Sequence, residues 1–242
     1  MNQDIKLDIL AFGSHPDDVE LAASGTILKH IALGKSVGVI DLTLGEMATR
    51  GNVEGRIKEV NISSKILGLN IRENLDLGDC FFEVQKKELI KVIQQIRRFQ
   101  PDIVLCNATM DRHPDHARGG ELVSRACYLA GLRKIKTSWE NNTQQIHRPN
   151  AVYHYIQDHW IDPDFIVDVS DYFNLKLEAI KSYKSQFFNP ESNEPTTPIS
   201  TESFLKSIEA KGITLGRYIN ADYGEGFTCE RFIGVKDITT LI

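Results

Sequence analysis

Two short segments of the 242-residue chain carry the residue types of metal-assisted hydrolysis: "SHPDD" at positions 14 to 18 and "RHPDH" at positions 112 to 116. Each contains His-Pro-Asp, and together they hold three of the seven histidines, His15, His113 and His116. Helix initiation explains part of the pattern, since proline suits a first helical turn and an aspartate there accepts otherwise orphaned backbone N–H groups. It says nothing about the histidines. His15 and Asp18 stand three residues apart, a spacing that lets an imidazole and a carboxylate converge on one point. His116 supplies a third donor from the other segment. Two histidines, one carboxylate and a position left for water compose a catalytic zinc site, whereas a structural site is closed, usually by thiolates. The same donors suit a non-haem Fe(II) centre, so iron stays open beside zinc. Asp17 is then next to the metal without being required by it, the place of a general base for water. His113 and Asp115 read as a pair in which the carboxylate keeps the imidazole charged, ready to stabilise an oxyanion.

For these side chains to meet, both segments must leave the same edge of one sheet. "LDILAFG" is a short apolar run before the first motif, and after it Val19, Ala22, Ala23, Ile27 and Ile31 recur at helical spacing until Gly34. "VGVIDLT" predicts a second strand, residues 53–67 a helix ended by Gly68, and "ENLDLGD" a weaker strand. Leu89, Val92, Ile93, Ile96 and Phe99 mark an amphipathic helix over 88–99; Pro101 and the strand "DIVLCNA" follow it, then the second motif and a helix over 117–132. Strands alternating with helices imply right-handed crossovers: an α/β fold, its mostly parallel sheet covered by helices on both faces. Both motifs then lie at the carboxyl edge, where open α/β folds place their ligands. Further on, "AVYHYIQ" and "DFIVDVS" predict strands, 171–187 and 204–218 helices, and "NPESNEPTTPIS" an exposed loop. No composition break divides the chain, so residues 1–242 are read as one domain.

Composition narrows the partners. A formal net charge of -5 argues against the broad basic face that nucleic-acid or anionic-membrane binding requires, and favours a small-molecule partner. The first residues show no secretory pattern and no apolar run is long enough to span a bilayer, so a cytoplasmic protein is expected. Cys80, Cys106, Cys127 and Cys229 are far apart and read as reduced, mostly core residues. A nucleotide-binding module is disfavoured because "FGSHPDD" stands where G-x-G-x-x-G should follow the first strand. A non-catalytic small-molecule-binding module that keeps the fold is the remaining rival, against which the intact acid and base groups speak.

"SHPDDVE" together with "DRHPDH" resembles the PIG-L/LmbE-like zinc deacetylases, and within them the bacillithiol-biosynthesis deacetylases; "GEMATRG", "YKSQF" and "YGEGF" extend the likeness. The resemblance implies a Rossmann-like, LmbE-like fold and removal of an acetyl group from an N-acetylglucosamine conjugate, N-acetylglucosaminyl malate being the substrate of the most similar group. It implies His15, Asp18 and His116 as metal ligands and Asp17 as base. It adds Arg56, Arg112 and Tyr223 as substrate or oxyanion contacts. By itself Arg56, three residues before Glu59, would read as a surface ion pair and Tyr223 as a loop aromatic. Ser14 stands where the family usually has alanine. A homo-oligomer is also implied, a hexamer being the candidate assembly, although no seam is legible. Glu46 and Arg50 of "GEMATRG" stay undecided between lining the crevice and making a turn.

Overall fold

The computed structural model describes residues 6–241. In chain order the elements are β1 (Ile9–Gly13), α1 (Asp18–Ala32), β2 (Val37–Asp41), α2 (Val53–Leu67), β3 (Ile71–Asn74), α3 (Lys86–Phe99), β4 (Ile103–Cys106) and α4 (Pro114–Ala130). A small hairpin of β5 (Ser138–Trp139) and β6 (Asn142–Thr143) follows, then β7 (Ala151–Tyr155), β8 (Phe165–Asp168), α5 (Phe173–Lys181), α6 (Glu202–Tyr218) and β9 (Gly224–Cys229). The large sheet runs β3-β2-β1-β4-β7-β9-β8. Its first five strands are parallel, and β9 lies antiparallel between β7 and β8.

Alternation along β1 explains the two layers of helices, because successive side chains point to opposite faces. Leu10 and Phe12 pack with Val92, Ile96, Leu122 and Val123 of α3 and α4. Ile9 and Ala11 face the other way, onto Val19, Ala23 and Ile27 of α1. The expected mostly parallel sheet with helices on both faces is therefore present.

Several boundaries differ from the sequence expectations. The third strand is Ile71–Asn74, ahead of most of "ENLDLGD". Helix α4 begins at Pro114, inside the second motif, three residues earlier than expected. The helix expected over 171–187 is regular only from Phe173 to Lys181, and turns carry the chain on to the buried Tyr183 and Phe187. Strand β9 has no counterpart among the sequence expectations, since Gly224 and Gly226 mask its strand pattern. All four cysteines are free, but only Cys106 and Cys127 are buried, so they are not mostly core. No helix among the described residues is long and apolar enough to cross a membrane.

Candidate active site

Strands β1 and β4 lie side by side, Ala11 opposite Leu105, so the loops leaving their carboxyl ends begin next to each other. Asn107, directly after β4, staples the two. Its Oδ1 accepts the Ser14 N–H at 2.9 Å and its Nδ2 donates to Asp18 Oδ2 at 2.9 Å. The Ser14 hydroxyl donates to the Asp115 carbonyl oxygen at 2.8 Å, a bond between the motifs that alanine could not make. Helix α4 closes onto this junction at Gly119, where a Cβ would stand 2.2 Å from Ser14 Oγ and no side chain fits.

Asp17 precedes α1 but caps no N–H there, so helix initiation does not explain it. Its φ of +139° is a conformation that L residues rarely adopt. Such strain costs about 1–3 kcal/mol and collects at functional sites. In the second motif the helix-start pattern is real: Pro114 opens α4 and His113 Nδ1 accepts the Asp115 N–H at 3.3 Å.

The structure brings His15, Asp18 and His116 together. Asp18 Oδ1 lies 3.1 Å from His116 Nε2, and Oδ2 lies 3.6 Å from His15 Nδ1. The outer ring nitrogens face carboxylates: His15 Nε2 is 3.0 Å from Asp79 and 3.4 Å from Asp115, and His116 Nδ1 is 2.5 Å from Asp111. Outer carboxylates orient metal-ligating histidines in just this manner. A buried carboxylate between two such imidazoles is a donor set that fits a divalent transition metal. His113 could complete a set of three imidazoles with His15 and His116. Its Nδ1 is occupied by the Asp115 N–H, however, and among the described residues no carboxylate pairs with its ring as Asp79 and Asp111 do with His15 and His116, so Asp18 is the better third donor.

The charges follow from these contacts. Burial opposes a charged imidazole, but the facing carboxylates prevail, holding His15 well above its ordinary range and His116 at about 9. Burial likewise opposes ionisation of Asp18, and the two histidines overcome it, keeping its pKa well below the carboxylate range. Asp17 goes the other way. Burial, with the charge of Asp18, lifts it to about 7 against the pull of Arg56.

Arg56 is buried and reaches the site: one guanidinium nitrogen donates to the Pro16 carbonyl oxygen at 2.7 Å and lies 3.3 Å from Asp17 Oδ2. Its Nε also stands 3.8 Å from Glu59, so the ion pair expected from spacing alone coexists with the site contact. The bracing of His113 by Asp115 is corrected. Because α4 starts at Pro114, the Asp115 carboxylate turns to the sheet edge, where it pairs with Arg118 at 2.6 Å, accepts the Cys80 N–H at 2.9 Å and faces His15. Burial first, then the charges of His15 and His116, lower the His113 pKa and favour the neutral ring. With Nδ1 accepting, its proton sits on Nε2.

These groups open into one cavity of about 460 Å³, within the range of small-ligand sites. Arg50, Arg56 and Arg112 line it, as do Phe204, Ile208 and Leu215 from one face of α6. The loop expected to be merely exposed contributes Thr197, Pro198 and Ile199 to its wall. Arg112 is 2.5 Å from Asp158. Tyr223 is not among the lining residues; its ring stacks on Phe173, 3.9 Å between centroids, and Phe173 is the one that meets the cavity. Asn107, Asp79 and Asp111 are not singled out by the sequence, although each follows a strand at the carboxyl edge, and that position was the available signal.

The PIG-L family model, described as GlcNAc-PI de-N-acetylase, matches residues 10–127. The chain is 32% identical over 189 residues to diacetylchitobiose deacetylase of Thermococcus kodakarensis, covering 74% of this chain and 70% of that protein. To a probable N-acetyl-alpha-D-glucosaminyl L-malate deacetylase 2 of Bacillus anthracis it is 28% identical, over 74% of this chain and 81% of that one. The crystal structure of a conserved protein from Thermus thermophilus matches with a TM-score of 0.84 at 33% identity, covering 95% of this chain and 98% of the other. The chain belongs to the PIG-L family.

Proposed function

We propose that this protein is a zinc-dependent hydrolase that removes the N-acetyl group from an N-acetylglucosamine conjugate, and that the conjugate is N-acetylglucosaminyl malate, as in bacillithiol biosynthesis. One observation carries the chemistry: Asp17, strained and unused as a cap, stands beside the His15, Asp18 and His116 donor set in the cavity that also receives His113. The similarity to two sugar deacetylases supports the reaction, and the resemblance of the motifs supports a homo-oligomer.

His15, Asp18 and His116 would hold a zinc ion, which when bound would supply Lewis acidity for the acetyl carbonyl and lower the pKa of water. Asp17, fixed by Arg56, takes a proton from the attacking water and returns it to the departing amine nitrogen. His113, donating from Nε2, stabilises the negative charge that develops on the carbonyl oxygen. Acetate and a free amino sugar are the products. A second reading, an N-acetylated disaccharide, is favoured by the apolar face of Phe204, Ile208 and Leu215, which suits the flat face of a second sugar ring.

Acetate release by the zinc-loaded protein from N-acetylglucosaminyl malate, diacetylchitobiose and free N-acetylglucosamine decides between them. The malate conjugate is expected to have the highest kcat/KM. Equal or better use of diacetylchitobiose would remove the malate assignment and leave the deacetylase chemistry standing.

A further inference from the structure

Five arginine and lysine side chains, Arg50, Arg56, Arg112, Lys176 and Lys211, line the cavity among the described residues. Arg56 is paired with Asp17, Arg112 with Asp158, and Lys176 with Glu225 at 2.6 Å. Lys211 is partly exposed and reaches the Asp158 carbonyl oxygen at 3.4 Å. Arg50 differs from all of these. It is 5% exposed, yet among the described residues its Nε has no hydrogen-bond partner and its guanidinium makes one hydrogen bond, to Ser192 Oγ at 2.7 Å. The carboxylate that faces it, Glu194, stays 3.6 Å from Nε on a side chain that is 45% exposed.

A guanidinium carries five N–H donors, and burying it with so few partners is unfavourable. The position is nevertheless firmly built. The Arg50 carbonyl oxygen accepts from Gln186 Nε2 at 2.9 Å, and Gly51 packs so closely that a Cβ there would come within 2.8 Å of Ser185 Cβ. Glu194 also accepts the Gly51 N–H at 2.8 Å, so its carboxylate occupies the place of an anion beside Arg50. A planar fork of this kind pairs with a carboxylate through two donors, which an ammonium cannot reproduce.

We propose that Arg50 is a specificity-determining residue that binds an acidic group on the aglycone of the substrate, in the place where the Glu194 carboxylate now sits. The assignment rests on the deacetylase reading and extends it to the far half of the substrate. Arg56 and Arg112 hold their own carboxylates more closely, at 3.3 Å and 2.5 Å, which makes them poorer partners for a malate carboxylate.

The test compares zinc-loaded wild type, Arg50→Gln, Arg50→Lys and Glu194→Gln on two substrates that share the sugar: N-acetylglucosaminyl malate and methyl N-acetylglucosaminide. Arg50→Gln is expected to lower kcat/KM for the malate conjugate on the order of tenfold more than for the methyl glycoside, mostly through KM. Arg50→Lys should recover only part of the difference. Glu194→Gln, which weakens the internal competitor, should lower KM for the malate conjugate and not for the glycoside. An efficiency ratio unchanged in Arg50→Gln would overturn the assignment, leaving Arg50 a strut between two loops and the deacetylase reading intact. If Arg50→Gln does not fold, an unchanged KM for the malate conjugate in Glu194→Gln overturns it instead. A wild type that releases acetate from neither substrate overturns the deacetylase reading and this assignment together.

Discussion

The guanidinium of Arg56 lies 3.3 Å from the Asp17 carboxylate and donates to the carbonyl oxygen of Pro16, so one residue of α2 fixes both the Asp17 side chain and the peptide before it. Arg56→Gln is expected to keep its metal while kcat falls by about 10- to 100-fold, since small displacements of a reacting group carry losses of that order. KM should move less. Steady-state kinetics alongside elemental analysis checks this, and wild-type kcat would remove Arg56 from the site.

His113 is positioned to donate from Nε2 as a neutral ring, its Nδ1 being held by the Asp115 N–H. His113→Ala should retain metal and slow turnover by about 10²- to 10³-fold, the loss typical of an oxyanion donor. Glutamine, which also carries an N–H donor, should lose less. If the alanine variant instead arrives without metal, His113 is a ligand and the set of three histidines replaces the one with Asp18.

The outer carboxylates make a separate prediction about affinity. Asp111 faces the outer nitrogen of His116 at 2.5 Å, whereas His15 is shared between Asp79 and Asp115. Asp111→Asn should weaken metal binding about 10- to 100-fold, and Asp79→Asn by less, because Asp115 remains. Competition against a chelator of known affinity measures both. Identical affinity in wild type and Asp111→Asn would contradict the orienting role.

Away from the site, Glu230 lies 3.1 Å from His154 Nε2 of β7. That hydrogen bond holds the Glu230 pKa below its ordinary value of 4.5. A carboxylate with a depressed folded pKa contributes stability that is complete above the ordinary value and is lost as pH falls through the folded one. In metal-free protein, Glu230→Gln should therefore flatten the fall in stability below pH 4.5, followed by denaturant unfolding across pH. Superimposable acid limbs would show that the pair contributes nothing.

How far the site could be read beforehand depended on where its groups stand in the chain. His15, Asp17 and Asp18 are nearly contiguous and follow an apolar run, so both their meeting point and their edge of the sheet were legible. Asp79, Asp111 and Asn107 are single polar residues beyond strand ends, which resemble turn formers until the fold gathers them around the imidazoles. The Asp115 misreading came from a helix boundary. An α-helix turns once in 3.6 residues, so a start three residues early swings the carboxylate from His113 toward His15. Tyr223 illustrates the opposite limit: the family resemblance pointed to it, but the stack on Phe173 reveals which ring meets the cavity.

The most direct measurement is acetate released per bound zinc by the wild type and by Asp17→Asn, with metal content determined on the same samples. The predicted result is full zinc occupancy in both proteins and a turnover about 10²- to 10⁴-fold lower in the variant, as befits a general base. Near wild-type acetate release by a zinc-loaded Asp17→Asn would contradict the assignment of Asp17.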